Sequence, residues 1–226
     1  MTGFVRETTK KGAPSCGLYI KIRQTGKSFT LLENLKKICF GVNASKYEKN
    51  MHVFEYTGKI TKTDEKEYIA ALKDYLQAQG MIFILREGIE IAAEIKADGV
   101  IVKTFAESKK AREILGDEAI IGIRLAASRK KIIEALDKDI DFISIPITAK
   151  NNSLVMDLLH YWSVRTDKPC LIEGNISNNE CKSLVLSGAS FIDGSNYILK
   201  HPSGALQAVI NMLYAIDVAI PSETKH

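Results

Sequence analysis

Cysteine, long apolar runs and a dominant charge are all scarce in this sequence, and each absence argues against a class of function. Only four cysteines occur in 226 residues, Cys16, Cys39, Cys170 and Cys181, with no CxxC pair and no histidines nearby at zinc spacing. That argues against a disulfide framework and a structural zinc site, and Cys39, Cys170 and Cys181 read as small core residues. No apolar run approaches the roughly 20 residues of a membrane span. The opening stretch MTGFVRETTKKGAPSCG lacks the apolar core of a signal peptide, so a cytoplasmic protein is expected. Lys and Arg number 31 against 27 Asp and Glu, and the resulting +4 is dispersed along the chain. This argues against nucleic acid as a partner, whereas a phosphorylated small molecule needs only a few local cations.

What is present is the composition of a globular chain, 46% hydrophobic and 26% charged, in one large domain or two small ones. Short β-rich runs alternate with helical patterns. Leu18 to Ile22, His52 to Tyr56, Met81 to Leu85, Gly99 to Val102, Ala119 to Ile123, Phe142 to Ile145, Pro169 to Ile172 and Ser190 to Ile192 read as strands. Each is followed by a segment at helical spacing, among them Leu31 to Phe40, a helix from Asp64 (a candidate cap) to Gln79, and Gly204 to Ile216. Eight strand–helix units with short connections predict a single-domain α/β protein, a (β/α)8 TIM barrel over residues 18–217. Residues 1–17 form an N-terminal arm and 218–226 a tail. An open doubly wound sheet is the lesser alternative, because its glycine-rich fingerprint is missing.

In such a barrel, chemistry sits at the C-terminal ends of the strands. Those positions hold Arg23, Glu55, Arg86-Glu87, Lys103, Arg124, the segment 146–151 with Lys150, Glu173-Gly174-Asn175, and Asp193-Gly194-Ser195-Asn196. The last two groups suit phosphate, which barrels bind with the loops after strands seven and eight. The plainer reading is two strand-to-helix turns capped by Asn and Ser. Arg86, Lys103 and Arg124 are three cations that can hold a diphosphate. Equally, they can form a charge network with Glu55, Glu87 and Glu173 that fills the mouth. Glu87 and Glu107 are candidate oxygen ligands for Mg²⁺, which is commonly held by one or two carboxylates plus substrate phosphates. His201 is a minor acid–base candidate in the loop after strand eight, and His52 opens strand two at the wrong end.

The stretch ADGVIVKTFAESKKAREILGDEAIIGIRLAAS (Ala97 to Ser128) resembles the thiamine phosphate synthase family. There an ADGVH strand is followed by an acidic loop, an AR-x3-G helix end and an IG-x-S turn. Asp141-Phe142-Ile143 is similar to the family's ADY-[IV] strand. Lys168 to Gly174, followed by NISNNECKSLVLSGASFI, is similar to its strand seven, helix entry and strand-eight entry. The resemblance implies a transferase that joins hydroxymethylpyrimidine diphosphate to hydroxyethylthiazole phosphate with Mg²⁺ and releases pyrophosphate. It puts Gly174, Ser195 and Asn196 at the thiazole-phosphate site and Thr148 and Lys150 at the family's Thr-Lys pair. It also exposes departures. Arg86-Glu87 stands at an Asn-Asp pair, Ile101 at a histidine and Arg124 at a serine. Glu55 and Thr57 replace the strand-two Arg-x-Lys clamp. A catalytically degenerate barrel binding a phosphorylated metabolite, and a thiazole tautomerase-like isomerase, are the alternative readings. A homo-oligomer is compatible with either.

Overall fold

The computed structural model describes residues 16–23, 28–43, 52–60 and 63–220. The expected arm before Cys16, the tail from 221 and the cap expected of the Asp64 side chain lie outside them. The described residues form eight parallel strands in a closed barrel, paired in sequence order with the eighth returning to the first. They are β1 (Gly17–Ile22), β2 (Val53–Tyr56), β3 (Ile82–Arg86), β4 (Gly99–Val102), β5 (Ile120–Arg124), β6 (Phe142–Pro146), β7 (Cys170–Glu173) and β8 (Phe191–Asp193). Helices α1 (Ser28–Asn43), α2 (Thr63–Ala78), α3 (Ile89–Ile95), α4 (Phe105–Leu115), α5 (Arg129–Leu136), α6 (Asn152–Ser163) and α7 (Cys181–Leu186) follow the first seven strands in turn. A one-and-a-half-turn helix, α8 (Ser195–Lys200), follows β8 and precedes the closing helix α9 (Gly204–Ala219). The expected barrel is thus the observed one.

Two apolar clusters, one outside the barrel wall and one inside it, hold the fold together. The outer cluster joins alternate strand residues such as Leu18, Ile20, Phe83, Leu85, Ile121 and Ile123 to the helices. Helix α9 buries Ala205, Ala208, Val209, Met212, Leu213 and Ile216, a repeat of three to four residues that keeps one stripe inward against α1, α7 and α8. On α6, Leu158, Leu159 and Trp162 are buried, and the indole N–H donates to the Lys168 carbonyl at 2.6 Å.

The inner cluster follows from register. Side chains alternate across a strand, and the inward residues of alternate strands share a level. Val53, Gly99, Phe142 and Phe191 form one level and Tyr19, Ile84, Gly122 and Leu171 the next. A Cβ on Gly122 would fall 2.1 Å from the Phe142 ring, so glycine here makes room for the phenyl. Above these apolar levels come Glu55, Ile101, Ser144 and Asp193, and above those Lys21, Arg86, Arg124 and Glu173. The barrel is therefore apolar at its base and charged at its mouth.

The opposite, N-terminal rim carries a repeated brace. The residue just before each even-numbered strand accepts an N–H from the start of the preceding odd-numbered strand. His52 Nδ1 accepts from Leu18 at 3.3 Å, Asp98 Oδ2 from Phe83 at 2.7 Å, Asp141 Oδ2 from Ile121 at 2.7 Å, and Ser190 Oγ from Cys170 at 3.2 Å. Arg112 steadies the third brace, donating to Asp141 at 2.8 Å and to the Ala119 carbonyl at 2.7 Å. Each bond satisfies a buried backbone donor at a strand end, where a lone N–H costs stability.

Candidate active site

The two polar levels at the mouth form one connected network. Arg86, at the end of β3, grips Glu55 of β2 with two bonds, Nε to Oε1 and Nη2 to Oε2 at 3.0 Å, and its Nη2 also reaches Glu173 at 3.1 Å. Lys21 Nζ lies 2.6 Å from Asp193 and 3.0 Å from Glu173. Arg124 Nε donates to Glu173 at 3.2 Å, and the Ser144 hydroxyl donates to the same carboxylate. The Tyr19 hydroxyl rises from the level below to donate to Glu55 at 2.9 Å.

Cations and carboxylates are not mixed evenly. Side-chain exposure is 25% for Lys21, 20% for Arg86 and 41% for Arg124, against 0% for Glu55, 3% for Glu173 and 1% for Asp193. The cations are partly exposed at the opening, while their counter-ions, Glu55 and Asp193 one level below and Glu173 at the same level, are buried. Burial raises the Glu173 pKa, but Lys21, Arg86, the Ser144 hydroxyl and Arg124 outweigh it and hold the carboxyl at about 2. Burial wins at Glu55, whose pKa stays above the ordinary carboxylate value despite the Arg86 and Tyr19 bonds. For Lys21, burial opposes the charge, and Asp193 and Glu173 overcome it.

Of the residues expected from sequence, Arg86, Arg124, Glu55 and Glu173 come together here. Lys103 does not join them; it is exposed beyond β4, with Nζ 2.7 Å from Glu87. Lys150 is exposed in the turn before α6. On the loop after β7, Gly174 lies where a Cβ would come 2.8 Å from the Ile147 carbonyl, so its glycine answers a close backbone approach, and Asn175 is exposed. After β8, Gly194 is buried and Asn196 exposed. Ser195 is engaged by neighbours: its N–H donates to Asp193 Oδ1 at 3.0 Å, its hydroxyl donates to the same oxygen, and it accepts the Lys21 N–H at 2.7 Å. His201 Nδ1 accepts the Ser203 N–H at 3.2 Å, and its ring packs edge-on to Tyr197. The Thr57 hydroxyl donates to the Ile22 carbonyl at 3.2 Å.

Lys21, Ser144 and Tyr19 were not singled out in the sequence. Period-two alternation was the available signal: Lys21 stands two residues past Tyr19, and Ser144 two past Phe142, on the inward face of each strand.

A model of the thiamine monophosphate synthase family matches residues 33–198. The chain belongs to this family. It is 31% identical over 147 residues to the thiamine-phosphate synthase of Erythrobacter litoralis, covering 59% of this chain and 68% of that one. With that of Hyphomonas neptunium it shares 28% over 159 residues, 67% of this chain and 72% of the relative. Among solved structures, a thiamine phosphate pyrophosphorylase from Pyrococcus furiosus superposes with a TM-score of 0.69 at 15% identity, over 92% of this chain and 98% of that one, a likeness of fold.

Thiamine monophosphate synthases are associated with Mg²⁺, and the donor set here can be weighed for it. No cluster of three or more His, Cys, Asp or Glu side chains able to hold a metal occurs among the described residues. Glu87 and Glu107 do flank a common neighbour, Lys103. Glu87 contacts its ammonium, while Glu107 Oε2 accepts its N–H at 3.1 Å and that of Thr104 at 2.9 Å. That second carboxylate closes a capping box at the start of α4; burial raises its pKa, but the bonds from Thr104 and Lys103 and the Lys103 charge together outweigh it and lower the pKa. Oε1 takes none of the capping bonds. Glu87 is half-exposed and held in the left-handed region at φ 62°, a conformation a bulky residue seldom adopts without cause. Glu87, on the turn after β3, and Glu107, in the first turn of α4, are oxygen donors of the kind such an ion takes one or two at a time, with water and phosphate oxygens filling its shell.

Proposed function

We propose that the mouth of this barrel makes thiamine phosphate from hydroxymethylpyrimidine diphosphate and hydroxyethylthiazole phosphate. The thiazole nitrogen lone pair forms a C–N bond to the pyrimidine methylene carbon. The C–O bond to the diphosphate breaks, and its electron pair leaves with pyrophosphate. The ring nitrogen ends as a thiazolium cation, and no protein nucleophile is required. All four cysteines are buried, and burial pushes Cys39 up to about 11 and Cys181 up to about 12, so they are inert thiols.

The observation that carries this reading is the layered charge of the mouth. Lys21, Arg86 and Arg124 face the opening over buried carboxylates. A floor of fixed cations stabilises the charge that grows on departing pyrophosphate, because its dipoles and charges need not reorganise as the bond breaks. Arg86 is fixed by its paired bonds to Glu55, and Arg124 has only Nε bonded among the described residues, leaving its other N–H groups for a ligand. Lys103 and Lys150 complete the cationic rim. The loops Gly174-Asn175 and Gly194-Ser195-Asn196 take the thiazole phosphate, with Asn175 and Asn196 as exposed donors and Ser195 shaping the turn. Glu87, with Glu107 through Oε1, would hold Mg²⁺, which neutralises diphosphate charge when bound.

The test is to mix purified protein with both substrates and Mg²⁺ and follow thiamine phosphate by mass spectrometry. Product that disappears in Arg124→Ala supports the reading, and no product from folded protein overturns it. Family membership does not favour a barrel without catalysis. Nor does the site favour an isomerase, since His201 is engaged at the start of α9.

A further inference from the structure

Three cations from three different strands meet one carboxylate. Lys21 comes from β1, Arg86 from β3 and Arg124 from β5, and all three bond Glu173 of β7. These are the four inward residues of a single level, so Glu173 stands across the barrel from its partners and is almost wholly buried. Its two oxygens divide the work: Oε2 takes Lys21 and Arg86, and Oε1 takes Arg124 and the Ser144 hydroxyl. Arg86 and Lys21 each have a second anchor, Glu55 and Asp193, whereas Arg124 has Glu173 alone among the described residues, so Glu173 is the group that ties all three cations to one point.

We propose that Glu173 is a positioning residue that gathers Lys21, Arg86 and Arg124 into one fixed cationic floor. This rests on the functional reading above and extends it. Glu173 does not touch substrate. It lowers the affinity of the floor for an anion, because its own charge is negative, and in return it fixes where the cations stand when charge develops on the leaving group. Binding strength and rate therefore respond to it in opposite directions.

Glu173→Gln keeps size and shape and removes the charge. The expected result is tighter binding of inorganic pyrophosphate, by roughly threefold or more, since a nearby like charge is gone. With it, kcat per folded molecule falls by about 10²-fold, as misplaced catalytic groups cost. A purely structural role would leave kcat per folded molecule unchanged once the folded fraction is measured by circular dichroism, even though loss of the charge alone tightens pyrophosphate binding. Unchanged kcat per folded molecule overturns the proposal, as does pyrophosphate affinity that falls together with kcat. Should the variant fail to fold, Ser144→Ala removes one anchor of the same carboxylate, and a several-fold loss in kcat with unchanged pyrophosphate affinity is expected; wild-type kcat there overturns the proposal. If the wild-type protein makes no thiamine phosphate, the functional reading fails separately, while pyrophosphate titration of the two proteins still decides whether Glu173 governs the floor.

Discussion

The two ends of this barrel solve the same problem, polar groups at the ends of strands, in opposite ways. At the N-terminal rim, His52, Asp98, Asp141 and Ser190 each meet one backbone N–H in a repeated arrangement. At the mouth, six charged side chains from β1, β2, β3, β5, β7 and β8 meet mainly one another. Braces of the first kind act singly and serve stability. A network of the second kind is coupled and need not stabilise the fold at all, since desolvation offsets much of its attraction. Part of the resemblance to thiamine phosphate synthases runs through the first kind: Asp98, Arg112 and Asp141 belong to the matching stretches and work at the rim, while Gly174, Ser195 and Asn196 match at the mouth. The departures, Arg86, Arg124 and Glu55, belong to the mouth.

The comparison can be broken most forcefully at Arg86. Arg86→Ala strands Glu55, which is fully buried, and removing one partner of a buried pair costs about 3–5 kcal/mol. A large drop in urea midpoint together with lost turnover is expected, and a near-normal midpoint would show that water reaches Glu55. Arg124→Ala should leave stability nearly unchanged, because the side chain is partly exposed and keeps one bond to Glu173. Its kcat should fall by about 10²–10³-fold, the usual cost of losing one preorganised donor at developing negative charge. Steady-state kinetics with both substrates checks this.

Asp98→Ala tests the other end. It leaves the Phe83 N–H without its acceptor and should cost about 1–3 kcal/mol while kcat per folded molecule stays normal. A lowered kcat would mean that the two ends are coupled. Glu87→Gly should shift stability least. Glycine accepts the left-handed backbone at that position, so denaturation should be unchanged or slightly harder while Mg²⁺-dependent turnover is lost.

Acid titration sharpens the contrast further. Glu173 is held at about 2 in the folded chain, below its unfolded value near 4.3. Its contribution is present above that unfolded value and fades as pH falls toward 2. Glu55 is shifted upward and acts with the opposite sign: its contribution is present at low pH and lost as pH rises through its folded value. Glu173→Gln should therefore flatten the fall in urea midpoint between about pH 4 and pH 2.

Alternating apolar runs and helical spacing were enough to read eight strands and their order, because burial on both faces gives parallel strands such as Ile82–Arg86 a continuous apolar signature. Strand ends were read to within one residue, which placed Arg86, Arg124 and Glu173 at the mouth. Which cation meets which carboxylate was not legible. Lys21 and Glu173 are 152 positions apart, and only barrel closure and its stagger bring them together. The extra helix α8 was equally hard to read, since six residues from Ser195 to Lys200 hold too little periodicity to distinguish from a loop.

The repeated brace at the rim has a consequence for how the chain divides. Every brace joins an odd-numbered strand to the even-numbered strand after it, and none of the four joins an even-numbered strand to its successor. The barrel is thus an assembly of four quarter-modules, each two strands wide and closed by its own latch. Moving the chain termini to a seam between modules, in the turns entering β3, β5 or β7, would leave all four latches inside continuous chain. Moving them within a module would sever a latch from the strand it fastens. The same seams are where quarters could be exchanged with those of a related barrel, leaving the mouth chemistry to be rebuilt from parts that already know how to close.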